Sequence, residues 1–302
     1  MAKSHQIFRY INKNFSKVDI SNEELQKFKD FLIKYNVSDI INKTTNRNKQ
    51  TFLLYFTRVS EGNIGGMNIL EDFGANMESQ DVFGMTCFSY IRVINWSITD
   101  FNLILGWVNN IKDILNLVDF FNNLINAYSS SRNRRVYNDQ ILTLIKYIIL
   151  KGLFCTRFHC IKLLSHVFIE RQACFGIYFE SVSCSDFGLV NEILFHMLNT
   201  VTPDEYILKK YIECTNSNRY NYFDEYVIER FIDHNILPTK YQLSLLSGHG
   251  NTNYVINKIK KRRYDWIVLR ESIVRNDVIY IGLPSLFLLN NDIFKYMVTG
   301  FM

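Results

Sequence analysis

The chain lacks the close cysteine spacings of a disulfide framework: its six cysteines stand at 87, 155, 160, 174, 184 and 214. Its first residues, Met1-Ala2-Lys3-Ser4-His5-Gln6, contain no apolar signal core, so a reducing, cytoplasmic setting is expected. Long apolar runs are missing too. The two richest, Ile141 to Phe154 and Ile279 to Leu289, are interrupted by Lys146, Lys151 and Pro284, and both fall short of the ~18 residues a bilayer span needs. Nor is there a large excess of one charge. With 34 basic against 29 acidic residues the net is +5, too mild to argue for nucleic acid without a concentrated patch. Proline is scarce, 3 residues against 24 Phe and 18 Tyr. With the leaning toward Asn, Ile and Lys, this is what an AT-rich coding sequence gives, as in a viral or parasite genome.

Enzyme signatures are absent as well. No Gly-x-Ser-x-Gly elbow is present, and no cysteine stands in a strand-turn-helix context with a positioned base. Gly62-Asn63-Ile64-Gly65-Gly66 is glycine-rich but lacks the Lys-Ser/Thr of a phosphate loop. What remains is 48% hydrophobic and 21% charged, the composition of a folded chain. No segment alternates in the β manner, so the fold class is all-α.

One stretch organises the chain: Gly74-Ala75-Asn76, four variable residues, then Asp81-Val82-Phe83-Gly84-Met85-Thr86-Cys87-Phe88. Gly74 can close a helix in the left-handed conformation, Gly84 can take positive φ in a tight turn, and Thr86 is placed to cap the next helix. Asn46-Arg47-Asn48-Lys49-Gln50-Thr51-Phe52 matches in register, with Thr51 under Thr86 and Lys49 in place of the turn glycine. Later, 246–259, 183–194 and 222–232 resemble one another around Val255, Val190 and Val227. Gly152 follows a second-helix ending, two ordinary repeats after Gly74.

These passages resemble the joints and inter-helix passages of ankyrin repeats, whose joint reads Gly-Ala-Asp/Asn, then Asp-x-x-Gly-x-Thr-Pro-Leu-His, at a period of ~33 residues. The resemblance covers about two thirds of the chain. Phe52 and Cys87 stand where the family has proline. It implies an ankyrin-repeat-like solenoid of stacked helix pairs with degenerate repeats: a helical cap over 1–44 and a divergent array over 45–302. Short turns are expected wherever the Asp-x-x-Gly run has decayed. In AT-rich sequence such an array looks like the ankyrin-repeat proteins of poxviruses, and less closely like effectors of intracellular bacteria. The resemblance implies a non-enzymatic scaffold that binds host proteins to set host range or blunt innate immunity. It implies no cofactor, no small-molecule substrate, no nucleic acid and no membrane. Ile279 to Met302 carries no convincing F-box-like segment, so ligase recruitment does not follow.

Three sets of residues are candidates for function. Val82, Phe83 and Met85 fall at the exposed finger tip, where an apolar surface must be covered by a partner or by the neighbouring finger. Lys258, Lys260, Lys261, Arg262 and Arg263 form a basic run, read as cations at a helix C-terminus or as a nuclear-import signal; Arg132, Arg134 and Arg135 form a smaller one. Cys155, His159, Cys160 and His166 are the only concentration of metal-ligand types, the basis of an alternative reading as a cryptic metal-dependent enzyme. No second Cys-x-x-Cys closes a tetrahedral site, so no metal is expected. Trp96 and Trp107 are assigned to the core.

Overall fold

A computed structural model describes residues 2–16, 20–43, 48–93, 96–130, 135–173, 184–217, 223–246 and 252–274. Among these the chain is all-helical, with 13 α-helices, two short 3-10 helices and no strand. The helices are α1 (Ala2–Phe15), α2 (Asn22–Tyr35), α3 (Phe52–Val59), α4 (Ile64–Asp72), α5 (Ile98–Asn110), α6 (Val118–Ser130), α7 (Arg135–Leu150), α8 (Arg157–Ala173), α9 (Cys184–Met197), α10 (Glu205–Ser217), α11 (Glu225–Asp233), α12 (Lys240–Leu246) and α13 (Thr252–Val274). The 3-10 helices are Cys87–Tyr90 and Ile114–Leu117. No described helix is long and apolar enough to cross a membrane.

The helix starts follow from side-chain oxygens that satisfy otherwise unpaired N–H groups. Ser21 and Glu24 form a reciprocal capping box at α2. Thr51 Oγ1 accepts from Leu54 N at 3.3 Å to start α3, and Asn63 Oδ1 accepts from Gly66 N at 2.9 Å to start α4. Ser97, Asp204, Asp224 and Thr239 open α5, α10, α11 and α12 in the same way.

The ends are equally regular. At Gly74 (φ 86) the glycine N–H bonds Glu71 O and the next N–H bonds Leu70 O; at Gly152 (φ 100) the same pair reaches Ile149 O and Ile148 O. Asn235 (φ 61) repeats the pattern onto Ile232 O and Phe231 O. This is the Schellman closure, which needs a left-handed residue.

Helices packed two apart in the chain build two rows. The first row runs α1, α3, Cys87–Tyr90, α6, α8, α10, α12; the second runs α2, α4, α5, α7, α9, α11, α13. Buried side chains fill the seam along its whole length, from Phe28, Phe56 and Met67 through Phe120, Leu124 and Ile145 to Tyr211, Val227 and Phe231. These buried residues form one connected cluster along both rows. The anchors Val190, Val227 and Val255 are all buried, each on a second-row helix. The 1–44 segment supplies the first pair, and Phe28 stacks on Phe56 at 5.5 Å to join it to the next.

Two expectations need correction. The helix that Thr86 opens is only a four-residue 3-10 helix, where Thr86 N donates to Ser89 Oγ at 3.2 Å and the Thr86 hydroxyl donates to Asn116 O at 3.0 Å. On α8, Phe158 shares helical spacing with Ile161 and Leu164, which predicts a common buried face, yet it points outward, and Cys160, Leu163 and Leu164 take the buried face. The basic loop 131–134, the tail from 275 and the side chain of His166 lie outside the described residues.

Candidate partner-binding surface

The finger at Asp81 is held by its own carboxylate. Asp81 Oδ1 accepts from Phe83 N at 2.9 Å and Met85 N at 3.1 Å, while Oδ2 accepts from the Tyr90 hydroxyl at 2.9 Å. Gly84 takes φ 75, and its N–H reaches Asp81 O at 3.0 Å. Burial, and then the bond to Asp81, push the Tyr90 phenol up to about 12. The bonds to Asp81 fix the backbone of the turn, and the Phe83 ring on it is 73% exposed. Val82 is also exposed and Met85 is half-buried.

This finger is tied to both neighbours. Val82 N–H donates to Asn48 O at 3.1 Å on one side. On the other, Gln80 Nε2 donates to Asn116 Oδ1 at 2.8 Å, and Glu78 Oε2 accepts from Asp113 N and Asn116 Nδ2, each at 3.1 Å. The Asp113 N–H leads the causes that hold the Glu78 carboxyl below its ordinary range. Asn42 reaches across to the joint at Gly74, donating to Gly74 O at 2.9 Å and accepting from Asn76 N at 2.7 Å.

The next joint repeats the device: Asp113 Oδ1 accepts from Leu115 N at 3.0 Å, and Leu115 is 67% exposed. An Asp followed two residues later by an outward apolar side chain therefore recurs at 81/83 and 113/115. The signal is present in the sequence at 113/115, but without the turn glycine that marks Asp81.

The described members of the cysteine-histidine group are engaged within the protein. Thr156 N donates to His159 Nδ1 at 3.0 Å, which leaves Nε2 as the protonated nitrogen, donating to Asn122 Oδ1 at 2.9 Å. Both ring nitrogens are occupied within the protein, and burial lowers the pKa of His159. The Cys155 and Cys160 thiols are buried and pushed up to about 12 by desolvation, the reverse of an activated thiolate. Among the described residues no three potential ligands cluster. Thr156 and His159 instead bond each other at the start of α8, and Thr156 stands four residues after Gly152. Asn235 and Thr239 have the same four-residue spacing.

The basic run is interior to α13, a helix of 23 residues, so its cations do not cap a helix C-terminus. Lys258 pairs with Glu229, which also accepts the Tyr254 hydroxyl, and Arg262 Nε donates to Asn235 Oδ1 at 3.3 Å. Lys260 and Lys261 are exposed, and the side chain of Arg263 lies outside the described residues. In the glycine-rich run, Gly62 ends α3 at φ 81 while Gly65 and Gly66 sit in the first turn of α4. The Gly66 N–H is already taken by Asn63, so no phosphate cradle exists there. Trp96 and Trp107 are buried, and their indole N–H groups bond Arg92 O and Glu71 Oε2.

No protein-family model matches the chain, and no curated protein and no solved structure matches it.

Proposed function

We propose that this chain is a divergent ankyrin-repeat protein that acts as a non-enzymatic scaffold, binding a host protein through the edge that carries its joints. Two features support the array: rows in which each helix meets only its neighbours, and a joint register shared by Lys49/Thr51 and Gly84/Thr86. The AT-rich composition and the resemblance to poxvirus ankyrin proteins support a host-directed role in the cytoplasm. The mechanism is occlusion: a preformed surface binds with little ordering cost and blocks its target.

The observation that carries this reading is Phe83, fully outward on a finger whose backbone is fixed by Asp81. Holding a large apolar ring in water has no folding benefit, whereas burying it against a partner is favourable by ~2 kcal/mol. The experiment is capture of proteins from host-cell extract on the immobilised chain, comparing wild type with Phe83→Asp. Loss of capture with unchanged thermal unfolding is expected. Undiminished capture, or a collapse of the fold, would overturn the assignment. Met85 is half-buried, so Phe83 is the cleaner position.

A further inference from the structure

The first-row helices α8, α10 and α12 open in the same way. Thr156, Asp204 and Thr239 precede them, and the second helical residue is aromatic each time: Phe158, Tyr206 and Tyr241. These rings are 53%, 44% and 71% exposed. Because α8 packs on α10 and α10 on α12, the three rings stand at one register on successive helices. The α8 and α10 starts are in direct contact: the Arg157 guanidinium lies 5.3 Å from the Tyr206 ring centroid and pairs with Asp204.

Cations accompany the rings. Lys162 Nζ lies 5.4 Å from the Phe158 centroid, Lys210 Nζ lies 5.9 Å from that of Tyr206, and Lys240 immediately precedes Tyr241. Three carboxylates share this edge, Asp204, Glu205 and Glu213. Arg157 answers Asp204, and Lys209 and Lys210 answer Glu213, so Lys162 and Lys240 leave the edge positive.

We propose that Phe158, Tyr206 and Tyr241 form a ladder that docks one acidic, extended peptide segment of a partner protein, in polyproline-II conformation, with an apolar side chain at every third residue. This rests on the scaffold reading and names the ligand class of a part of the edge distinct from the Asp81 finger. The argument is one of pitch and charge. Packed helices lie ~9 Å apart, and a polyproline-II chain, with three residues per turn and ~3.1 Å rise, repeats its faces every ~9 Å. A β-strand cannot match, since side chains three apart point to opposite faces. Exposed aromatics are the surface such segments use, and they bind without much ordering cost because the conformation is preformed. The surplus cations select carboxylates at the outward positions.

The test is direct binding of fluorescent synthetic peptides to the full chain. The probe is four Phe-Pro-Glu triplets; the controls are the same composition with the phenylalanines spaced irregularly, and four Phe-Pro-Lys triplets. The acidic, regular peptide is expected to bind at least about tenfold more tightly than either control. Tyr206→Ala and Tyr241→Ala are expected to weaken it about tenfold each at unchanged melting temperature. Equal binding of all three peptides, no binding, tighter binding of a single-stranded oligothymidine, or indifference to both alanine variants would overturn the proposal. Any of these, with capture from extract still lost in Phe83→Asp, would leave the scaffold reading standing and remove only the ladder.

Discussion

Lys49 adopts the left-handed backbone, at φ 53, that Gly84 adopts at φ 75 in the following joint, 35 residues later. A residue with a Cβ holds a glycine's place because the turn geometry is demanded from both sides: Thr51 caps the helix that follows, and Asn48 O is engaged by the next finger.

Lys49→Gly is accordingly expected to relieve backbone strain, offset in part by the entropy of glycine in the unfolded chain. The net gain is about 0.5 kcal/mol. Gly84→Ala runs the other way, costing ~1 kcal/mol from φ alone, since a Cβ there meets nothing within 4 Å. Chemical denaturation of the two variants reads both signs. A stabilised Gly84→Ala would contradict the shared-turn account.

Gly66→Ala separates helix propensity from packing. In an exposed helix the change would stabilise by up to ~1 kcal/mol, but a Cβ here would stand 2.0 Å from Phe56 Cζ. Phe56 is itself packed against Phe15 and Phe28, so the ring cannot swing away cheaply. A net loss of ~1–3 kcal/mol is expected in thermal or urea unfolding, and Phe56→Leu should recover part of it in the double variant.

His159 sets a pH dependence with a definite sign. Its folded-state pKa lies below the ordinary ~6.5 because burial disfavours the charged ring. The unfolded chain therefore takes up the proton first. The stability this residue contributes is fully present above about pH 6.5 and is lost as pH falls through the lower folded value. Melting temperature measured from pH 7.5 down to 5 should fall more steeply in wild type than in His159→Gln. Because both ring nitrogens are bonded within the protein, added zinc or a chelator should leave the melting temperature unchanged.

Much of the fold was legible because helix ends are written in short, local chemistry. Ser21 with Glu24, Thr51, Gly74 and Gly152 each take the role their residue type suggests, and Phe120, Phe121, Leu124 and Ile125 are buried as their helical spacing implies. The apolar tip at Phe83 was legible for the same reason. What was not legible depends on neighbours. Nothing local in Cys87-Phe88-Ser89-Tyr90 says that its helix stops after four residues, and Phe158 fits a helical apolar stripe yet faces water. The Cys155 and His159 cluster was not interpretable beyond its residue types, which carry no record of the hydrogen bonds they already make. The aromatic at the second position of α8, α10 and α12 was invisible until the helices were seen side by side.

The link from Gly74 to Thr86 takes twelve residues, whereas those from Gly152 to Thr156 and from Asn235 to Thr239 take four, and each carries the chain from a second-row helix to the next place in the first row. Segment length along this border is therefore decoupled from the lattice behind it. Such a molecule can gain, lose or rewrite a protrusion without disturbing what supports it, so this border is free to change faster than the body that carries it.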